Sequence, residues 1–533
     1  MRILANSTMS LVKNKFKNVC IVSSGQVSWS RAPAALAFMA GVCEKNQIEY
    51  NVIDLNVEFY HQAGKEHWYR LYSVDLSLDN HDTLVDDVLK KFFFDTIEKI
   101  KLTNTDCLAI TVLSFMQHRW AQQFLTQLKD QAPHIKTIAG GPGISTGVMN
   151  STSFGKKLVD QGVLDYYVLG EGDIVFDKFL NGEFEQLGLN YKGVDQTWQP
   201  QIDNLNVLPI PSYKKINLEN YQYNRKVPQV IITGSRGCVR RCTFCDIGHH
   251  WKKFIFRTGK NIADEMLTHY LETNITDFFF NDSLINGSLK QFYNLLETLN
   301  EYKQTYPGLS NINYEGQFII RPQGQHNERM YQLMSASGCK TLYVGIESGS
   351  EKVRDHMGKK FSNADIDYHF EMCEKYGISN WILIMCSYPT ETQQDFEDTL
   401  DMFKRNQKYL INDTIIGASI TSPTLVLPNT PLNNMAEELQ IHFLDREESN
   451  QHSKLDIFDH ASVLFESRLN PDLTVTKKYQ RWVDLIETAA TLGYRLAHTT
   501  MSDVQANLDT LIKFKNPNKK VWTIAQAKEN YYS

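Results

Sequence analysis

GSRGCVRRCTFC, the stretch from Gly234 to Cys245, brings three cysteines onto one short loop in the spacing Cys-x3-Cys-x2-Cys. Three thiolates on one loop can bind three corners of a four-iron cube, which leaves one iron without a protein ligand. The sequence therefore predicts a 4Fe–4S cluster with an open coordination position, held by Cys238, Cys242 and Cys245.

A structural zinc site is the alternative for this loop, because zinc uses the same ligand types but needs a fourth one. His249 and His250 lie close enough along the chain to be candidates. The loop, however, follows directly on the strand-like run QVIITGS, and the loops at the carboxyl ends of barrel strands are where catalytic groups lie. The context favours the cluster.

From Gln229 onward, strand-like and helix-like runs alternate for six units. The helical runs begin near Asn261, Leu289, Asn327, Asn363 and Thr392, and the strand-like runs are QVIITGS, TDFFFND, NINYEGQF, TLYVGIES, ISNWILIM and TIIGASIT. Six such units predict a partial (β/α)6 barrel spanning residues 229–428.

The remainder of the chain divides around this barrel, and the whole is predicted to be an α/β protein. Residues 1–187 contain five β-branched runs with amphipathic helices between them, which predicts a doubly wound, flavodoxin-like parallel sheet. The runs are VCIVSS, YNVIDLN, CLAITVLS, IKTIAGG and YYVLGEG. Residues 188–228 contain several prolines and no periodicity, which is typical of a linker. Residues 429–533 are predicted to be a small, mostly helical region, with periodicity at Lys477–Ala497 and Asp503–Phe514.

Three features of the cysteine loop resemble the radical S-adenosylmethionine (SAM) enzymes: the cysteine spacing, Phe244 directly before the last cysteine, and the glycines at 234 and 237. The first domain carries TIAGGPGIS and DYYVLGEGDIVFDKFL, which resemble the cobalamin-binding domain found in one branch of that family. The resemblance covers residues 15–425. It implies that SAM chelates the open iron and that its cleavage gives a 5′-deoxyadenosyl radical.

The same resemblance implies SAM contacts at the ends of the barrel strands and at the cysteine loop. These are Phe244, Asn281, Asp282, Gln317, Arg321, Glu347 and Ser348. Arg321 would suit a carboxylate and Glu347 an ammonium or ribose hydroxyls. A purely structural role remains open for several of them: Asp282 could cap a turn, Arg321 could pair with a neighbouring helix, and Glu347 could begin the next helix.

Cobalamin contacts are implied at the carboxyl edge of the first domain, because paired glycines there allow close approach of a bulky ligand. They are Ser114, Gly140, Gly141, Pro142, Gly170 and Glu171. A histidine ligand to cobalt is not expected, because His61-Gln-Ala-Gly64 has Phe59 where the Asp-x-His-x-x-Gly motif has its acid. The alternative is a flavodoxin-like domain that has lost its cofactor.

Two further patterns refine the family resemblance. The other six cysteines show no CxxC spacing, so we expect no second cluster, which argues against a methylthiotransferase. The stretch MCSYPTETQQDFEDTL resembles the G-x-P-x-E-T segment of the family, but Ser387 and Tyr388 stand where a small residue is common.

The net charge of −6 among 533 residues offers no general attraction for nucleic acid, and no apolar run reaches the length of a membrane helix. The start of the chain lacks the apolar segment of a secretory signal, and nine cysteines in a chain of this length indicate a reducing, cytoplasmic setting.

The resemblance implies cobalamin-dependent methylation of an unactivated carbon or phosphorus in an unidentified organic substrate. Such an enzyme would need a reducing partner such as flavodoxin or ferredoxin. The alternatives are a radical SAM oxidoreductase or cyclase that transfers no methyl group, and an iron–sulfur sensor or electron-transfer protein.

Overall fold

The structure, a computed structural model, describes residues 16–25, 30–73, 83–145, 147–148, 152–195, 197–221, 227–322, 324–420, 422–427, 429–444 and 464–497. The chain folds into two compact units. The first contains the chain up to Ile231 together with Thr268–Ile275. The second contains Ile232–Leu267 and most of the chain from Thr276 onward.

The first unit is built on a six-stranded sheet. Its strands, in chain order, are Asn18–Ser23, Glu49–Asp54, Cys107–Thr111, Lys136–Gly140, Tyr166–Val168 and Leu189–Tyr191. Across the sheet the order is second, first, third, fourth, fifth, sixth, and the first five strands run parallel. This is the flavodoxin-like order, so the doubly wound prediction is confirmed.

Helices connect these strands, because parallel neighbours need long crossovers. Their bounds are Ala34–Lys45, Leu55–Ser73, Thr83–Leu102, His118–Gln131, Phe154–Asp160 and Gly172–Leu180. The second of them is interrupted at Gly64, which has φ 85°. The reversal of strand order places a crevice beyond the carboxyl ends of the first and third strands, where ligands of such sheets bind.

The stretch predicted to be a linker is more ordered than its sequence indicates. It begins with the sixth strand, Leu189–Tyr191, which pairs antiparallel with the fifth. Further along, the Ser212 N–H donates to the Ala37 carbonyl at 2.8 Å. A strand of three residues is too short to show periodicity, which explains why the sequence did not reveal it.

The second unit is built on six strands that follow one another in chain order, as predicted for a partial barrel, and the second to sixth run parallel. They are Val230–Ile232, Asp277–Phe280, Asn313–Phe318, Cys339–Glu347, Ser379–Ile384 and Ile415–Ser419. The helices between them are Gly259–Thr273, Leu289–Thr305, Glu328–Ser337, Asn363–Tyr376 and Gln393–Asn406.

Side-chain caps fix where several of these helices begin. The Asn327 side chain accepts from the Met330 N–H at 3.2 Å. Ser362 and Thr392 each form a capping box with the aspartate three residues later. A short helix that the sequence did not predict, Glu351–His356, follows the fourth barrel strand.

The C-terminal region is only partly helical. The helix Val475–Thr491 is present, with Trp482 fully buried, but a hairpin of Ile441–Phe443 and Phe465–Ser467 was not predicted. Leu496 also forms a parallel bridge with Ala418, which extends the barrel sheet. The predicted helix Asp503–Phe514 lies outside the described residues. No helix in the described part of the chain is long and apolar enough to cross a membrane.

Candidate active site

The cysteine loop begins where the first barrel strand ends. Two short antiparallel strands, Ser235–Arg236 and Ile255–Phe256, pair at the base of the loop. Gly237 has φ +85°, and a Cβ there would lie 2.6 Å from the Lys253 carbonyl oxygen, so only glycine fits this turn. Cys238, Cys242 and Cys245 follow, each partly exposed.

Backbone hydrogen bonds on both sides of Thr243 hold the loop in place. The Thr243 N–H donates to the Met357 carbonyl at 3.0 Å, and the Thr243 carbonyl accepts from the Leu432 N–H at 2.7 Å. Phe244 is half-buried and packs on an apolar cluster that includes Val353 and Met357. These contacts preorganise the spacing of the three thiols.

The surroundings of the thiols suit an anionic cluster. The Arg240 N–H donates to Cys238 Sγ at 3.4 Å. Burial raises the pKa of all three thiols, and the charge of Lys359 opposes that rise at each. Within the described residues, no group of three His, Cys, Asp or Glu side chains converges on a single metal ion. A four-iron cube binds its three thiolates at separate corners.

Asp282 and Asn281 contact the base of the cysteine loop. The buried Asp282 carboxylate accepts from the Gly234 N–H at 2.9 Å and from the Ser235 hydroxyl. Burial raises the pKa of Asp282 to about 6 despite these bonds. Asn281 Oδ1 accepts from the Thr233 hydroxyl at 2.8 Å. These bonds fix the base of the cysteine loop, and the SAM contact at Asp282 stays a prediction.

Arg321 lies at the end of the third barrel strand, as predicted. Its Nη2 donates to the carbonyls of Asn286 and Gly287 at 3.0 and 2.9 Å, while its buried Nε has no partner among the described residues. Gln317 lies half-buried on the same strand. A guanidinium held on one side with a buried donor to spare is suited to a carboxylate.

Glu347 ends the fourth barrel strand with φ +69°, a left-handed conformation that costs energy in a residue other than glycine. Its carboxylate pairs with the Lys359 ammonium at 2.8 Å. Ser348, predicted as a SAM contact, is fully buried, with its hydroxyl 3.2 Å from that of Thr399 and its carbonyl accepting from Arg354. Its contact with SAM stays a prediction.

The Ser387–Tyr388 departure has a structural explanation. Ser387 has φ +64°, where glycine would be unstrained, and its N–H donates to Glu391 Oε1 at 2.9 Å. Tyr388 is buried beside the cysteine loop, with its hydroxyl 2.8 Å from that of Thr243. Glu391 in turn pairs with the buried Arg481 at 3.0 Å. The segment thus supports the loop, which the sequence alone did not predict.

Four of the six predicted cobalamin residues, Ser114, Gly140, Gly141 and Pro142, come together in the first unit, at the ends of its third and fourth strands. Gly141 has φ +103°, and a Cβ there would lie 2.5 Å from the Val112 carbonyl oxygen. At Gly140 a Cβ would meet only Val168, at 3.9 Å. Pro142 is exposed, and Leu113 nearby is 60% exposed. This apolar, open edge fits a flat, bulky ligand such as a corrin.

Gly170 and Glu171 are explained by packing within the first unit. A Cβ at Gly170, which has φ +89°, would lie 2.4 Å from the Gln199 carbonyl oxygen. The buried Glu171 carboxylate accepts from the Ile202 N–H. The backbone that lies close to Gly170 is that of Gln199, and the cobalamin contacts at Gly170 and Glu171 stay predictions.

Two histidines of the first unit bear on the cobalt question. His61 is exposed, with Nε2 3.4 Å from the Asn220 carbonyl, and Phe59 lies in the core. His118, which the sequence did not single out, stacks on Phe154 and has Nε2 2.7 Å from the Gly143 carbonyl.

Three cysteines of the first unit lie within electrostatic reach of one another: Cys20, Cys43 and Cys107. All are buried in the core. Burial raises the pKa of the Cys20 and Cys43 thiols to about 12, and that of Cys107 well above its usual value. In such an environment a free cysteine behaves as a small hydrophobic residue of the core.

Comparison with known proteins agrees with this site. Residues 232–403 match the family model described as Radical SAM superfamily, and this region contains all three cysteines. The barrel is therefore a radical SAM domain.

Solved structures extend the likeness over the first unit. The radical S-adenosylmethionine methyltransferase TsrM from Kitasatospora setae, solved with cobalamin and a [4Fe-4S] cluster, superposes with TM-score 0.59 at 17% identity, over 93% of this chain and 92% of that one. OxsB, a cobalamin-dependent S-adenosylmethionine radical enzyme, gives TM-score 0.62 at 14% identity, over 97% of this chain and 75% of that one. The chain thus has the fold of cobalamin-dependent radical SAM enzymes.

Curated relatives align with a smaller part of this chain than the solved structures do. An uncharacterized methyltransferase of Pyrococcus horikoshii is 23% identical over 352 residues, which cover 63% of this chain and 72% of the relative. Cytidylyl-2-hydroxyethylphosphonate methyltransferase of Streptomyces wedmorensis is 24% identical over 381 residues, covering 63% of this chain and 65% of the relative.

Proposed function

We propose that this chain binds a 4Fe–4S cluster at Cys238, Cys242 and Cys245 and uses SAM and cobalamin to methylate an unactivated carbon or phosphorus. The observation that carries the proposal is the anchored cysteine loop at the carboxyl end of the first barrel strand. Arg321 and Glu347 lie at the ends of two further strands of the same barrel. The cluster, when bound, supplies the electron that cleaves SAM to the 5′-deoxyadenosyl radical.

The chain's own residues would bind and orient SAM. Arg321 Nε is the donor available to the methionine carboxylate, and the carbonyls of Asn286 and Gly287 hold the guanidinium in place. Glu347 would accept from the ammonium or the ribose hydroxyls. Gln317 and Asn281 would complete the strand-end set, while Phe244 packs beneath the loop.

Cobalamin binding in the first unit rests on the open edge at Gly140 and on the likeness in fold to TsrM and OxsB. Ser114, Gly140, Gly141 and Pro142 are the proposed contacts, and Leu113 adds exposed apolar surface to the same edge. Methyl transfer is supported by the likeness to TsrM and to the two methyltransferases described above.

A second candidate is a radical SAM cyclase that transfers no methyl group. The anaerobic magnesium-protoporphyrin IX monomethyl ester cyclase of Rubrivivax gelatinosus is 22% identical over 336 residues, which cover 60% of this chain and 57% of that protein.

An electron-transfer protein is a weaker alternative, because it has no use for the carboxylate-binding arrangement at Arg321. All nine cysteines are free, which agrees with the proposed cytoplasmic setting and a flavodoxin or ferredoxin as electron donor.

Anaerobic reconstitution tests the proposal. The full chain is loaded with iron, sulfide and hydroxocobalamin, reduced, and given methyl-labelled SAM. We expect bound cobalamin, 5′-deoxyadenosine, and labelled methyl on the protein-bound cobalamin. Cys242→Ala should abolish 5′-deoxyadenosine, whereas the buried Cys373→Ala should not. A fully loaded chain that forms no 5′-deoxyadenosine would overturn the proposed radical SAM activity. Formation of 5′-deoxyadenosine without bound cobalamin would favour the cyclase class.

A further inference from the structure

Lys359 is a nearly buried cation next to the cysteine loop. Its ammonium donates to the Gly345 carbonyl at 2.6 Å and to Glu347 Oε1 at 2.8 Å, and its side chain is 12% exposed. Burying such a charge costs free energy that one ion pair does not fully return. The stability of the fold alone therefore does not explain why Lys359 lies here.

The surrounding backbone is shaped to receive this ammonium. A Cβ at Gly345 would lie 2.8 Å from Lys359 Nζ and 2.5 Å from Glu347 Oε1, so a side chain there would displace the pair. Glu347 takes up its left-handed conformation at the same place. Arg354, also buried, bonds the Ser348 carbonyl at 2.6 Å and so fixes the turn that carries Lys359.

The same turn contacts the cysteine loop. Gly358, with φ +78°, lies so close that a Cβ would be 3.3 Å from the Arg241 carbonyl oxygen and 3.7 Å from the Cys242 Cα. Lys359 Nζ lies 5.9 Å from the centre of the Phe244 ring. These contacts place the Lys359 ammonium beside the cysteine loop, next to the residue that precedes Cys245.

We propose that Lys359 raises the reduction potential of the cluster, with the ammonium held over the cysteine loop by Gly345 and Glu347. Reduction adds one electron, taken from a low-potential donor such as dithionite or a reduced flavoprotein, and makes the cluster more negative by one charge. A fixed cation nearby stabilises that state, since net charge and local electrostatics set the potentials of such clusters. The inference rests on the proposed function, because it assumes the cluster.

The test is a mediated redox titration of the reconstituted full chain without SAM, followed by electron paramagnetic resonance of the reduced cluster. Lys359→Gln keeps a hydrogen-bond donor but removes the charge. At the wild-type midpoint its ratio of reduced to oxidised cluster should fall roughly tenfold, which is about 59 mV for a one-electron couple. Lys359→Arg and the exposed neighbour Lys360→Gln should stay within about twofold of the wild type.

Because Lys359→Gln also leaves Glu347 unpaired, Lys359→Gln/Glu347→Gln is measured beside it. The double variant should keep a lower potential than the wild type. A double variant that returned to the wild-type midpoint would overturn the inference, as would an unchanged Lys359→Gln or one that held no cluster. A wild-type chain that takes up no cluster would defeat the proposed function first, so the two failures are distinguishable.

Discussion

The hydroxyl of Tyr388 lies 2.8 Å from the hydroxyl of Thr243, and it also donates to the His356 carbonyl at 3.2 Å. The segment after the fifth barrel strand is thereby bonded to the middle of the cysteine loop. Thr243 stands between the second and third predicted cluster ligands, so a bond to its side chain restricts the separation of Cys242 and Cys245.

Tyr388→Phe should loosen the cluster without unfolding the barrel. The variant removes the contacts of the Tyr388 hydroxyl with Thr243 and with the His356 carbonyl. One such hydrogen bond is worth about 1 kcal/mol, or roughly fivefold, and Thr243 can still reach the His356 carbonyl at 3.4 Å. We expect the loaded variant to lose iron to a chelator several times faster than the wild type, followed by the visible absorbance of the cluster.

Tyr479→Phe is the matched control for this measurement. The Tyr479 hydroxyl is buried but has no partner among the described residues, so its removal breaks no bond. If Tyr388→Phe and Tyr479→Phe released iron at the same rate, the bond to Thr243 would have no part in holding the loop.

The sequence predicted the order of the barrel and the place of its loops because both depend on local patterns. The six barrel strands are runs rich in β-branched and aromatic residues. Asn327, Ser362 and Thr392 are residue types whose side-chain oxygens cap the first turn of a helix, so they indicate where helices begin. The short strand Leu189–Tyr191 and the hairpin strands at 441–443 and 465–467 carry no such pattern, since three residues cannot show a period.

The roles of single polar residues were harder to predict, because they depend on partners far away in the chain. Asp282 is recognisable as a strand-end acid, but its acceptor role depends on Gly234 and Ser235, which are 48 and 47 positions earlier. The sequence indicates that another group comes close to the backbone at Gly170, but not that this group is the Gln199 backbone. Lys359 went unnoticed, because no local pattern shows that its ammonium reaches Gly345.

Asp282 should give the apo protein a stability that falls as the pH rises from about 4 to about 6. Burial raises its pKa to about 6, so between these pH values the folded state binds more protons than the unfolded state. A shift of about two units corresponds to roughly 3 kcal/mol. Asp282→Asn cannot titrate and should lack this dependence.

Urea unfolding at several pH values between 4 and 7 measures this effect as the difference in free energy of unfolding between the wild type and Asp282→Asn. The exposed Asp472→Asn serves as the control and should track the wild type. A constant difference between the wild type and Asp282→Asn across this range would show that Asp282 is ionised throughout.

Arg481→Met should destabilise the second unit by about 3–5 kcal/mol, because it leaves the buried Glu391 carboxylate without its cation. Burial raises the pKa of Glu391 to about 7, and loss of Arg481 should raise it further. Above that pH the folded variant then binds one proton more than the folded wild type. The loss in free energy of unfolding caused by Arg481→Met should therefore grow as the pH rises beyond about 7.

Thermal unfolding of Arg481→Met at pH 6 and pH 8.5 measures that penalty. Adding Glu391→Gln in the same chain removes the unpaired charge while keeping an acceptor for the Ser387 N–H, so it should recover part of the loss. A penalty that is independent of pH and is not relieved by Glu391→Gln would show that Arg481 acts by packing alone.

Gly140→Leu should block cobalamin uptake while leaving the first unit folded. A Cβ at Gly140 meets only Val168, at 3.9 Å, so the new side chain would project over the open edge and occupy the space proposed for the corrin. We expect bound cobalamin after reconstitution to fall at least roughly tenfold, the loss that about 1.4 kcal/mol of hindrance would produce. Gly140→Ala adds one methyl group and should have a much smaller effect.

Gly141→Leu cannot serve for this measurement, although it changes the adjacent glycine. Its Cβ would lie 2.5 Å from the Val112 carbonyl oxygen, at a φ of +103° that side chains rarely adopt, so it should unfold the edge whether or not cobalamin binds there. Circular dichroism and thermal unfolding separate the two cases. If Gly140→Leu kept both its fold and its full cobalamin content, the corrin would have to bind away from Gly140, and the proposed contacts at Ser114, Gly141 and Pro142 would fall with it.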